Sequence, residues 1–306
     1  EKVLLMCFNK LLAQKLKKDL AEFKNITVKS LWSFLVDFDL KWTEQVDDDE
    51  FGIIKLSDLP PDKSADHIAK FLLNNLDRIV EKTSFNALII DEGQDFSEKY
   101  WDFFKLLFAE KPESAWYLFF DTNQALTHPE WSPPLFEIPH SNLPLTYILR
   151  CTENISYKVQ NIFESKFGFK GITGEEPEFL VVNESSWNKS LEELVKLLEN
   201  LVNIEHFSPK QLSVLVPHSR DIDLVKGYKY DEESSIESKK INVSSVYKYK
   251  GLENDIVIVV IPSWDSLNAD YILQPLSLAY VGFSRAKTKL YVIGDKKIQK
   301  EINWNK

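Results

Sequence analysis

No Gly-x-x-x-x-Gly-Lys-Ser/Thr run occurs anywhere in the 306 residues, so the backbone cradle and lysine that grip the β- and γ-phosphates of a nucleotide have no candidate. Cysteine is almost missing. Cys7 and Cys151 are too few and too far apart in sequence for a disulfide or zinc framework, which favours a reducing, cytoplasmic compartment. No apolar run approaches the ~20 residues of a membrane helix and no signal peptide opens the chain, so no membrane partner is expected. The chain opens Glu1-Lys2 without an initiator methionine, as a piece of a longer protein does. Net charge is −10 with a pI near 5.2, which argues against binding nucleic acid by bulk electrostatics. A local basic channel on an acidic body remains compatible with that balance.

What is present is ordinary globular composition, 44% hydrophobic and 27% charged, in a chain long enough for two domains with separate cores. Strands and helices alternate, the pattern of parallel α/β sheets. Val3 to Cys7 reads as a strand, followed by a helix with Leu11, Leu12, Leu16 and Leu20 at helical spacing. Lys41 to Lys63 reads as a loop or small insertion and Ala65 to Val80 as one helix. Strands are expected at Ala87 to Ile90 and Tyr117 to Phe120, with a helix around Tyr100 to Phe108 between them. The prolines of Trp131 to Pro144 suggest an extended crossing, with a domain boundary near Pro144. Beyond it, a helix capped by Thr152, a helix over Leu191 to Leu201 and strands at Leu212 to Val216 and Asp255 to Ile261 are expected. Ser277 to Ala286 should be helical and Leu290 to Ile293 a last strand. The acidic segments Asp47 to Glu50 and Asp231 to Glu233 read as solvated loops.

Ala87-Leu88-Ile89-Ile90-Asp91-Glu92 delivers an acidic pair from an apolar strand, a pattern suited to holding Mg²⁺ through its water shell and orienting a water for attack on a γ-phosphate. Four more clusters follow in order: Asp121-Thr122-Asn123-Gln124, Leu145 to Arg150, Val243 to Glu253, and Val281-Gly282-Phe283-Ser284-Arg285-Ala286-Lys287. With Cys7-Phe8-Asn9-Lys10 and Val28 to Phe34, they resemble the ordered motifs Ia, Ib, II, III, IV, V and VI of superfamily 1 helicases of the UvrD/Rep type. The closest likeness is to compact members often fused to a nuclease-related domain.

The resemblance implies two RecA-like lobes, residues 1–144 carrying motifs Ia to III and 145–306 carrying IV to VI, the first lobe amino-terminally truncated. It implies an ATP-dependent translocase or helicase acting on single-stranded nucleic acid, DNA rather than RNA, in DNA repair. Asp91 would hold Mg²⁺, Glu92 would position water, and Gln124 would sense the γ-phosphate. Arg150 and Arg285 would neutralise charge on the transferred group, and Gly251 and Glu253 would lie by the γ-phosphate and ribose. Phe8, Trp32, Trp131 and Tyr247 would stack bases, and Asn9, Ser30, Ser245 and Lys250 would touch phosphates. The usual histidines of motifs Ib and V are replaced by Trp32 and Tyr247, and Phe120 takes the usual glycine position of motif III. In the family the phosphate-loop strand is expected between the strands led by Val3 and Ala87. That predicts a gap there, met by rearranged strand order, pairing with another chain or a mobile amino-terminal region. Two other functions fit the same residues: a catalytically silent nucleic-acid scaffold, and an ATP-gated regulatory module of a fused or partner nuclease.

Overall fold

A computed structural model describes all residues except 42, 127–130, 135–140, 184–185, 229–235, 237–239, 264–274 and 306. Asp231 to Glu233 and part of the Trp131 to Pro144 crossing lie outside the described residues. The chain forms two compact units, Glu1–His140 and Ser141–Lys306. Both are α/β with parallel sheets.

The first unit runs β1 (Val3–Cys7), α1 (Lys10–Asp19), β2 (Ile26–Ser30), α2 (Leu31–Val36), β3 (Gln45–Asp48) and β4 (Gly52–Lys55). It continues with α3 (Pro61–Asn74), α4 (Leu76–Lys82), β5 (Ala87–Asp91), α5 (Trp101–Ala109) and β6 (Ala115–Leu118). The sheet order is β2-β1-β5-β6, every pair parallel. Leu4, Met6, Leu88 and Ile90 project from one face into a core with Ile68 and Leu72 of α3 and Phe103, Phe104 and Leu107 of α5. On the other face α1 covers Cys7 with Leu12 and Ala13.

The place of the missing strand is closed by a rearranged strand order, one of the three expected outcomes. β1 pairs directly with β5, from Val3 opposite Ala87 to Cys7 opposite Asp91, so each satisfies the other's ladder and no strand fits between them. Among the described residues the sheet's edge strands are β2 and β6, and at β6 Tyr117 and the following Phe119 are 53% and 51% exposed. β6 also ends at Leu118, two residues before the sequence pattern suggests.

Lys41 to Lys63 is no plain loop: β3 and β4 form an antiparallel hairpin. The carboxylate of buried Asp48 accepts from the Glu50 and Phe51 amides and pairs with His67 Nε2 at 3.0 Å, pinning the hairpin to α3. The single helix expected over Ala65 to Val80 is two, broken at Asn75. There the side-chain amide donates to Phe71 O at 2.9 Å and competes with the helical ladder.

The second unit runs β7 (Tyr147–Ile148), α6 (Glu153–Ile162), β8 (Gly168–Phe169), β9 (Glu178–Val181), α7 (Trp187–Glu199), β10 (Leu212–Val216) and α8 (Asp221–Gly227). It continues with β11 (Asn242–Ser245), α9 (Val246–Tyr249), β12 (Asn254–Ile261), α10 (Pro275–Phe283), β13 (Ala286–Gly294) and α11 (Lys296–Glu301). The main sheet is β11-β10-β12-β13-β9, all parallel. Ile256 to Ile261 of β12 are fully buried on both faces, as a central parallel strand demands. α10 stops at Phe283 and β13 begins at Ala286, so Arg285 sits in the turn between them and not on a helix.

Candidate functional site

In the first unit, functional side chains collect where parallel strands end, the carboxyl edge at which α/β sheets place ligands. β5 ends at Asp91, whose carboxylate accepts from the Glu92 amide at 3.0 Å. Glu92 has φ of 55°, in the left-handed region that ordinary side chains avoid. This bend lets the Gly93 amide reach Phe119 O at 2.8 Å, and a Cβ on Gly93 would fall 2.4 Å from Leu118 Cδ1. A larger residue there would have to displace the end of the Leu118 side chain.

A chain of side-chain hydrogen bonds then crosses from β5 to the loop after β6. Gln94, fully buried, donates from Nε2 to Glu92 Oε2 at 2.6 Å and accepts at Oε1 from the Asp121 amide at 3.1 Å. Asp121 Oδ2 accepts from Gln124 Nε2 at 2.8 Å. The structure therefore brings Asp91, Glu92 and Gln124 together through Gln94 and Asp121, two linkers that sequence reasoning did not single out. The signal for both was present, since each lies inside a motif already recognised. The electrostatics are strongly negative: burial first, then the charges of Asp91, Glu92 and Asp95, push the Cys7 thiol up to about 12.

In the second unit Arg150 Nε and Glu253 Oε2 pair at 3.3 Å, uniting two of the expected site residues. Gly251, with φ of 77°, turns the chain between α9 and β12. Arg285 lies beside them, its carbonyl accepting from the Asn254 amide at 3.1 Å. Its guanidinium is fully buried and does not project from a helix as expected. Nε donates to Val281 O at 2.9 Å and Nη2 to Ser284 Oγ at 2.8 Å, so it closes the carboxyl end of α10. Ser245 and Tyr247, at the carboxyl end of β11, lie at the opposite end of the sheet from Glu253.

Several expected strand contacts serve the fold. Trp131 is 5% exposed and packs against Phe120, with ring centroids 5.2 Å apart, so it offers no face to a base. Lys250 is 1% exposed and presents no ammonium at the surface. Ser30 and Ser245 are buried helix caps, accepting from Ser33 N and Lys248 N. Asn9 caps α1, accepting from the Leu11 and Leu12 amides. Phe8 stands edge-on to Phe96 at 5.9 Å. Trp32 and Tyr247 are half-buried. Thr152 occupies the N-cap of α6 without a side-chain cap bond.

The residues fit a magnesium ion in part. Mg²⁺ needs one or two carboxylates with waters completing its shell, and Asp91 can supply one. Among the described residues no group of three potential metal ligands gathers. For the phosphates of a nucleotide the residues do not fit, since no glycine-rich loop exists to receive them.

A model of the UvrD-like helicase C-terminal domain matches residues 53–297, a span that reaches into both units. Among solved structures, the C-terminal domain of a possible DNA helicase from Lactobacillus plantarum WCFS1 is 16% identical, with 48% of this chain and 87% of that one covered and a TM-score of 0.35. The PRRSV helicase is 13% identical, with 98% of this chain and 49% of that one covered and a TM-score of 0.45. The chain thus spans about half the length of the viral helicase. No curated protein matches. No helix among the described residues is long and apolar enough to cross a membrane. With the family model covering most of its length, the chain belongs to the UvrD-like helicase C-terminal domain family.

Proposed function

We propose that this chain forms most of the motor of an ATP-dependent superfamily 1 translocase acting on single-stranded nucleic acid, DNA in preference to RNA, and that it is inactive alone. In this reading the units are two RecA-like lobes. The observation that carries it is the hydrogen-bonded chain Glu92–Gln94–Asp121–Gln124 beside Asp91. A scaffold has no need to join an acidic pair at one strand end to a glutamine at the next. A magnesium nucleotide, gripped by a phosphate loop that these 306 residues do not supply, would provide the phosphoryl bond whose hydrolysis drives movement. Asp91 would hold the metal through a water of its shell, and Glu92, held by Gln94, would orient a water and take its proton. Gln124, held by Asp121, relays occupancy of the site toward the strand-binding surface. In this reading the half-buried Phe8, Trp32 and Tyr247 stack bases.

The test is phosphate release. The 306-residue chain with ATP and magnesium should show no robust turnover, and a longer protein that carries a phosphate loop should show turnover stimulated by oligo-dT and abolished by Glu92→Gln. Robust magnesium-dependent release from the 306-residue chain alone would overturn the first half. Unchanged turnover on Glu92→Gln would overturn the second and favour the silent scaffold.

A further inference from the structure

At the amino-terminal end of the first unit's sheet, opposite to the edge that carries Asp91 and Glu92, an open groove of about 850 Å³ is rimmed by Lys2, Lys24, Lys29 and Lys82. We propose that this groove binds the sugar-phosphate backbone of a nucleic-acid strand, without sequence preference, as a second contact region of the protein.

The lysines come from three separate stretches. Lys2 leads β1, Lys24 and Lys29 flank the start and end of β2, and Lys82 ends α4. Only Glu1 and Asp37 oppose them among the lining residues, a local excess of positive charge on a chain whose net charge is −10. Lys29 is paired with Asp37 at 2.7 Å, and Lys2 Nζ reaches Ser84 Oγ at 3.0 Å. Lys82 Nζ lies 5.7 Å from the centroid of the Phe38 ring, with the Arg78 guanidinium carbon also near that ring at 6.0 Å. Lys111 Nζ stands over Phe85 at 5.0 Å, extending the cationic margin. Of the rim lysines, Lys82 is held over its ring without an anion taking up its charge.

The ligand class follows from what the groove offers. Its aromatic floor of Phe34, Phe38 and Phe85 is buried. Its polar lining of Asn25, Thr27 and Ser84 is exposed and of the residue types that contact phosphate and sugar. β2, β1 and β5 lie side by side, so the groove spans roughly 10 Å, room for about two successive phosphates. Lysine supplies point charge to phosphate and no base-edge fork, hence the absence of sequence preference. The inference goes beyond the proposed motor. It shares with that reading only the kind of partner.

The test uses the 306-residue chain and fluorescein-labelled dT20 across a salt titration. The triple variant Lys2→Glu, Lys24→Glu, Lys82→Glu should bind at least about tenfold more weakly at low salt, with a salt slope shallower by roughly 1–2. The matching Lys→Arg triple should bind as the parent does, and a melting curve identifies any loss caused by unfolding. If the Glu triple unfolds, the Lys→Gln triple replaces it with the same expectation. Unchanged affinity and slope in the folded triple, or no binding of dT20 by the parent at low salt, overturns the site. So does capture of poly-glutamate, but not dT20, through these lysines. Trp32→Ala and Tyr247→Ala probe the other surface: loss there with none in the lysine triple leaves the motor reading intact and rejects the groove.

Discussion

Gln94 is the side chain on which the candidate site turns, because both ends of its amide are committed inside a fully buried position. Gln94→Leu strips Glu92 of its donor and leaves the Asp121 amide without its acceptor. The expected loss is about 1–3 kcal/mol of folding stability, read from the urea midpoint at constant slope. Arg285 presents a sharper choice. Its bonds to Val281 O and Ser284 Oγ already give it a structural task, so Arg285→Ala in a longer, active protein should lower both stability and turnover. If turnover is intact at a temperature where the variant is folded, the transition-state role fails. Lys287, paired with Asp255 at 3.1 Å, serves as the control. The two cysteines set an alkaline limit. Burial, and then neighbouring acidic groups, raise Cys7 to about 12, and burial raises Cys151 to about 11, both from 9.0. The folded state holds these protons more tightly, so the contribution is complete below about pH 9. It declines as pH rises from there toward the folded values, because the unfolded thiols ionise first. Urea midpoints at pH 7 to 10 should fall above pH 9, and Cys7→Ala should remove part of that fall. A flat profile in the parent contradicts the burial argument.

Among the elements, three strand-to-helix junctions share one device: Asn9, Ser30 and Ser245 each end or follow a parallel strand and cap the next helix. Replacing any one with Ala should cost about 1 kcal/mol, measurable by chemical denaturation. No loss at Ser245 would mean that the four-residue α9 is held by its neighbours alone. These caps explain why motif residues read as phosphate contacts turn out to be buried: the same small polar side chain that suits a phosphate suits an orphan amide. At β6 the sheet stops with an unpaired edge and exposed Tyr117 and Phe119. Such an edge invites strand pairing. The purified chain should therefore associate with rising concentration by light scattering, and Tyr117→Lys should suppress it. Association unaffected by the lysine places the contact elsewhere.

On the scale of the molecule, the second unit holds its core within its own residues, from Val182 and Leu191 through Val214 and Ile258 to Ile293. Residues 141–306 alone should unfold cooperatively with near-native helical content by circular dichroism. A non-cooperative melt would show that the first unit is needed for folding. The first unit carries the acidic pair but no phosphate cradle, which is the physical basis for expecting no turnover from the isolated chain.

Strands such as Val3–Cys7 and Leu212–Val216 could be bounded from residue pattern alone, because a short apolar run between helix-forming segments leaves a parallel α/β chain few alternatives. The ordered motifs likewise pointed to the family. Strand order was not legible, since direct pairing of β1 with β5 depends on which edges meet in space and local pattern says nothing of that. Nor could sequence divide the motif residues into those that bind and those that hold the fold. Trp131 and Lys250 carry side chains suited to nucleic acid, yet burial removes both from the surface. Gln94, an ordinary amide in sequence, acquires its role only because β5 and β6 lie side by side and bring Glu92 and Asp121 within reach of its two ends.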